Sequence, residues 1–295
     1  MGKRLKKQLE ILGHSIFYVV LLGSGQRGAY LLLAPVIMVY VLFSRKVHRK
    51  TAPYLRRRFP LKSRAGRWLD TFRLVHSFGK ILVDRAWLGL KKKASLKGEF
   101  YGQSRLQEII REENGVILVT AHVGNWQTAL AHLNQLPTRV HSLMHYDQKA
   151  VARHYFDLKN WQRPFRIIPN NGFLGGMIEA TAALQRGEIV TVMGDRYAGG
   201  PKVKVEFLGN PVRLPATPYI LAACTSVPVI VLFTAKTGNK SYTIKIWDIF
   251  QPVPADRHNR NQEMRKWGQR FASSLENYLA QHPYQWYNFY DFWKQ

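Results

Sequence analysis

Five short runs of aliphatic and β-branched residues punctuate the chain from Gly115 onward: GVILVTAH, RVHSLMH, FRIIPN, EIVTVMGD and VPVIVLFTA. Helical stretches such as NWQTALAHL, LGGMIEATAALQRGE and TPYILAACTS separate them. Strands apolar on both faces, alternating with helices, predict an α/β fold with a mixed, largely parallel central sheet covered by helices. KVKVEFLGN and YTIKIWDIF alternate polar and apolar more strictly, as antiparallel or edge strands do, and RNQEMRKWGQRFASSLENYLAQHP reads as a closing helix ended by Pro283. Upstream, Leu69, Phe72, Val75, Phe78 and Leu82 recur near helical spacing and predict an amphipathic helix.

The first 69 residues have a different texture. Two apolar runs, SIFYVVLL (15–22) and AYLLLAPVIMVYVLF (29–43), flank the turn-like GSGQRG, and RKVHRKTAPYLRRRFPLKSRAGR follows with ten basic residues and no acid. A helix over Ala29 to Phe43 extends about 22 Å at 1.5 Å per residue, short of the roughly 30 Å hydrocarbon layer without help from its flanks. A secretory signal would show small residues at a cleavage site rather than a basic block, and a soluble core helix needs no such block. The expectation is a membrane segment, either a single span or a bent hairpin, with the basic block on the cytoplasmic side against anionic lipid. Arg27, costly in mid-bilayer, places the GSGQRG turn at an interface. The predicted organisation is a basic membrane-anchoring region over 1–69 and an α/β domain over 70–295.

Charge sharpens this division. The chain of 295 residues has a formal charge of +26, and fifteen Lys or Arg against one acid, Glu10, fall within the first 69 residues. Such an excess calls for an acidic partner: nucleic acid, anionic lipid or a phosphorylated substrate. A single cysteine, Cys224, excludes an internal disulfide and a cysteine-based zinc site, and its apolar neighbours suggest a small core residue.

His122 is the candidate centre of chemistry. It sits at the carboxyl end of the strand over 116–120 and just ahead of a helix expected to begin near Asn125, the place where open α/β sheets hold their ligands. The positive end of a helix disfavours imidazolium, so an uncharged ring able to accept a proton is expected, held by a hydrogen bond at its other nitrogen. Gln127, in the first turn, could provide that bond. The alternative is a buried histidine satisfied by backbone carbonyls.

The block AHVGNWQ resembles the His-x₄-acid motif of the lysophospholipid acyltransferase superfamily, and in particular its lipid A biosynthesis acyltransferases. VTVMGDRYAGGPKVKVEFLGNPVRLPATP, TSVPVIVLF and HPYQWYNFYDFW are similar to three further blocks of that family, in the family's order. The resemblance implies a glycerol-3-phosphate acyltransferase-like fold at the bacterial inner membrane, with the catalytic domain on the cytoplasmic face. It also implies acyl transfer from acyl carrier protein or acyl-CoA to a hydroxyl of a lipid acceptor, without a cofactor. His122 would be the base. Gln127 stands where the family has Glu or Asp, which leaves three readings: Gln127 orients the ring with less electrostatic support, Asp195 of GDR supplies the charge, or activity is lost. The intact His122 and GDR block favour an active enzyme. Arg196, or backbone N–H groups around Gly124 and Asn125, would stabilise the oxyanion.

Competing roles remain for these residues. Asp195 could cap a strand end, Arg196 could pair with Asp195, Asn125 could cap its helix, and Trp126 could wall a pocket. NNGFLGGM (170–177) could cradle an acidic head group through its amides. His141 and His145 have metal-ligand spacing, but on a strand and without a third ligand, so no metal site is expected. A nucleic-acid-binding protein is disfavoured because the basic residues cluster beside the apolar head; a non-catalytic membrane scaffold is the other alternative.

Overall fold

The computed structural model describes residues 3–90, 96–112, 115–126, 136–145, 165–171, 173–196, 200–254, 256 and 259–294, with side chains described from Ser15 onward except at Phe173. The chain enters through α1 (Lys3–Phe43), α2 (Arg45–Arg58) and α3 (Arg64–Leu90), then β1 (Lys97–Tyr101), α4 (Gln103–Glu112), β2 (Val116–Thr120), β3 (Val140–Met144) and β4 (Arg166–Pro169). It continues through α5 (Met177–Gln185), β5 (Ile189–Met193), the hairpin β6 (Lys202–Phe207) and β7 (Asn210–Pro215), α6 (Thr217–Thr225), β8 (Val229–Lys236), β9 (Ser241–Phe250) and α7 (Arg260–Gln281).

The described strands form a seven-stranded sheet in the order β1-β9-β8-β2-β5-β3-β4 and a separate antiparallel pair, β6-β7. β8, β2, β5, β3 and β4 run parallel, while β9 joins β8 antiparallel and carries β1 beside it. The apolar runs become the strands predicted for them because both of their faces are covered, as at Val116, Ile117, Leu118 and Val119 in β2, all 2% exposed or less. KVKVEF alternates exposed and buried residues, as its pattern predicted, and lies in the β6-β7 pair against α7. Cys224 departs from expectation: α6 buries Leu221, Ala222 and Ala223 and turns Cys224 outward to solvent.

The head folds as helices. In α1 the helical path breaks at Gly25 (φ 66°, ψ −164°), within the GSGQRG segment. Ser15–Phe43 is long and apolar enough to cross a membrane, by length and composition. Ala29, Leu33, Ile37 and Val41 form a buried four-residue stripe in a cluster with Val83 of α3, while Leu31, Val36, Met38, Val39, Leu42 and Phe43 are exposed. The helix therefore buries one stripe against α3 and leaves a second apolar face uncovered.

A buried carboxylate ties this helix to the sheet. Asp84 of α3 is fully buried and accepts hydrogen bonds from Gln26 Nε2 (2.7 Å), the Tyr30 and Tyr242 hydroxyls, and Lys236 Nζ (2.5 Å). Gln26 and Tyr30 come from α1, Lys236 and Tyr242 from β8 and β9, so one side chain joins three regions distant in sequence. Burial lowers the Lys236 ammonium from its ordinary range, and Asp84 opposes that shift. A buried ion pair contributes little net stability as a pair, but removing one partner strands the other charge. Asp84→Ala should therefore destabilise the fold by about 3–5 kcal/mol, measured by denaturant unfolding in detergent.

Candidate active site

Sheet register builds the site. β2 and β5 pair in parallel with Thr120 opposite Met193, so the residue two places beyond each ladder end is His122 on one strand and Asp195 on the other. Both leave the sheet at its carboxyl edge. β2 has β5 on one side and β8 on the other, with the chain passing outward to β3 and β4 before it returns, so this edge is the topological switch point where a crevice opens. Two glycines let the segments close up. A Cβ on Gly194 would meet Phe271 and Val119 at 2.7 Å, and one on Gly124, whose φ is +50°, would lie 2.1 Å from the Thr234 carbonyl oxygen.

Asp195 is 2% exposed and receives three donors. The His122 backbone N–H donates to Oδ2 (2.9 Å), the Trp286 indole Nε1 donates to Oδ2 (2.8 Å), and His122 Nδ1 lies 2.8 Å from Oδ1. Burial alone would raise the Asp195 carboxyl. The charge of His122, its ring and backbone hydrogen bonds and the nearby Arg196 outweigh burial and hold it at about 2. With an ionised carboxylate as its partner, Nδ1 carries a proton, and in the uncharged form of the ring Nε2 is the lone-pair nitrogen. The His122 side chain is 22% exposed, so this buried pair has one accessible end.

A cavity of about 660 Å³ opens at that end. Phe78, Ile81, Trp126, Tyr287, Phe289 and Tyr290 give it an apolar wall; His122, Arg85 and Arg196 give it basic groups; Gly124 and Asn125 complete the lining. Such a lining accepts an alkyl chain alongside an anionic or carbonyl-bearing group. The segment after α7 closes the site from above: Val123 bridges Trp286, the Gly124 N–H donates to the Gln285 carbonyl (2.9 Å), and the Tyr287 N–H donates to the His122 carbonyl (2.9 Å).

The sequence-derived candidates fall out unevenly. His122, Gly124, Asn125 and Arg196 share the cavity wall, and Asp195 lies directly behind His122. Gln127 lies outside the described residues, as does most of the helix expected after Asn125. The Gly124 N–H is already committed to Gln285, which removes it as an oxyanion donor. Asn125 borders the cavity but is 2% exposed, and its carboxamide lies beside the Tyr242 hydroxyl. Arg196 makes no salt bridge to Asp195; its guanidinium lies over the Tyr290 ring at 5.4 Å. The NNGFLGGM segment follows β4 at the far edge of the sheet and is not part of the cavity lining. His141 Nε2 pairs with Glu188 (2.9 Å), and among the described residues no group of three potential ligands could hold a metal ion.

Sequence reasoning missed Arg85 and Trp286. Arg85 looks like any polar residue of an amphipathic helix until α3 is seen to line the cavity. Trp286 lies in the aromatic block that carried part of the family resemblance, but nothing local shows that its indole reaches a carboxylate 91 positions earlier.

The chain is similar to the 1-acyl-sn-glycerophosphate (LPA) acyltransferase PlsC from Thermotoga maritima, with 16% identity, 85% of this chain and 98% of that chain covered, and a TM-score of 0.38. No curated protein matches the chain. The family model for bacterial lipid A biosynthesis acyltransferases matches residues 43–295, which takes in every described residue of the cavity and its supporting segments. The chain belongs to the bacterial lipid A biosynthesis acyltransferase family and is an acyltransferase acting on lipid.

Proposed function

We propose that this protein is a membrane-bound O-acyltransferase that moves a fatty acyl chain from an acyl thioester to a hydroxyl of a lipid A-type glycolipid or related lipid. The observation that carries this reading is the hydrogen-bonded His122–Asp195 pair at the mouth of an apolar cavity, in a chain of this family. His122 Nε2 takes the proton of the acceptor hydroxyl as the oxygen attacks the thioester carbonyl. The imidazolium formed is stabilised by Asp195, which fills the place that Gln127 leaves uncharged. Arg196 is suited to the developing oxyanion, and the apolar wall to the acyl chain. Collapse of the tetrahedral intermediate expels the thiol, which takes up the proton from His122.

Acyl carrier protein is the favoured donor over acyl-CoA, because an acidic carrier suits a chain of charge +26. The anchoring region is residues 1–69, with Ser15–Phe43 in the bacterial inner membrane and the α/β domain of 70–295 on its cytoplasmic face.

His122→Ala should lower acyl transfer at least about 100-fold, consistent with loss of a general base; turnover near that of the unaltered protein, measured by mass spectrometry of acylated lipid, would count against the assignment. Asp195→Asn should reduce turnover more than Gln127→Ala does, and the reverse ranking would return the orienting role to Gln127. Asp195 also links stability to pH. Its folded pKa lies below the unfolded value of about 3.9, so its contribution is full above that value and is lost as pH falls toward about 2. Trp286→Phe removes one donor to the carboxylate, so the acid unfolding midpoint should move to higher pH, read by circular dichroism.

A further inference from the structure

A second cavity, of about 290 Å³, lies between α2 and α3, lined by His48, Arg56, Arg64, Arg67, Trp68 and Thr71 together with Ala52 and Leu55. No carboxylate is among these residues, and Arg56, Arg64 and Arg67 make no salt bridge among the described residues. The neighbouring acid, Asp70, is not among the lining residues, and its Oδ1 accepts from the Tyr284 hydroxyl (2.6 Å) and lies 3.6 Å from Arg73. Three guanidiniums therefore border one hollow without a counter-charge. Two of them sit at an awkward place on their helix. Arg64 and Arg67 lie in the first turn of α3, which contains no acid, so their charge adds to the positive end of the helix dipole rather than offsetting it.

We infer that this cavity binds the phosphate of an anionic membrane lipid. Guanidinium groups recognise phosphate through paired, planar hydrogen bonds, and several converging on one hollow define a phosphate site more closely than diffuse positive charge does. The volume suits a head group and not a whole lipid, being at the small end of the roughly 300–1,000 Å³ typical of ligand sites. Its position argues for lipid over a free anion. His48 Nε2, a donor here, reaches the carbonyl of Val41 (2.8 Å) in the last turn of α1, where Leu42 and Phe43 are exposed. The cavity thus lies at the end of the apolar helix, at the level where head groups meet water if that helix lies in a bilayer. The inference rests on the membrane reading of α1 but not on which lipid is acylated, and the cavity shares no lining residue with the one at His122.

The test uses the full chain in zwitterionic detergent, with equimolar phosphatidylglycerol and phosphatidylcholine added and retained lipid counted by native mass spectrometry. The unaltered protein should retain phosphatidylglycerol preferentially. The charge-preserving triple variant R56K/R64K/R67K should lose that preference about tenfold, because lysine keeps the charge without the planar fork. R45Q/K46Q, which removes two charges outside the cavity, should keep it. A triple-lysine variant indistinguishable from the unaltered protein, or an equal loss in R45Q/K46Q, would overturn the site in favour of diffuse attraction. Displacement of the lipid by a modest excess of inorganic phosphate would overturn it in favour of a free-anion site. Circular dichroism checks that each variant is folded. Flotation with liposomes separates the two readings: the triple variant should still float through α1, whereas failure of the unaltered protein to float would overturn the membrane reading itself.

Discussion

The site depends on keeping one carboxylate ionised where water does not reach it. Asp195 is almost entirely buried, and an unpaired charge there would be prohibitive; a backbone N–H, an imidazole and an indole make it tenable. The same three donors fix the structure around it. The backbone N–H locks the end of β2 to the end of β5, the indole draws in the segment after α7, and the imidazole is held with its lone pair outward. Folding and chemistry thus share an anchor. The ionised state that holds these segments together is also the state that would stabilise an imidazolium.

Asp84 is a second buried carboxylate with a different arrangement. It too has several donors, but they come from α1, β8 and β9, and one is an ammonium already in place. Its partners are buried or nearly so, whereas the His122 ring is partly exposed. The pair of Asp195 has an open side facing a cavity; the cluster at Asp84 is buried and joins the apolar head to the body. Arg85, the next residue along α3, turns into the active cavity, so the helix that receives the head also contributes to the wall where an acyl chain would lie.

Much of this was legible in the sequence. The apolar runs and their alternation with helices determine a largely parallel sheet because a strand covered on both faces has no use for polar residues, and VILVT and IVTVM show it. The place of His122 followed from the same pattern. Which residue orients it did not, because Gln127 is near in sequence and Asp195 is 73 positions away, and only the β2-β5 register brings the latter alongside. Asp84, Trp286 and Arg85 were hidden for a related reason: each acquires its meaning from a residue or cavity brought close by tertiary packing. Cys224 was misplaced because its neighbours are apolar all round, and a short helix reveals which face is buried only when something packs against it.

The pairing of β2 with β5 has a consequence for how such a protein can change. Because adjacent strands set the meeting of His122 with Asp195, the distance from ring to carboxylate depends on the β2-β5 register and not on the number of residues in the connections between the intervening elements. Changes confined to those connections leave the dyad's spacing unaltered. Loops at the carboxyl edge can therefore be remodelled around a ring-to-carboxylate distance that two neighbouring strands hold fixed.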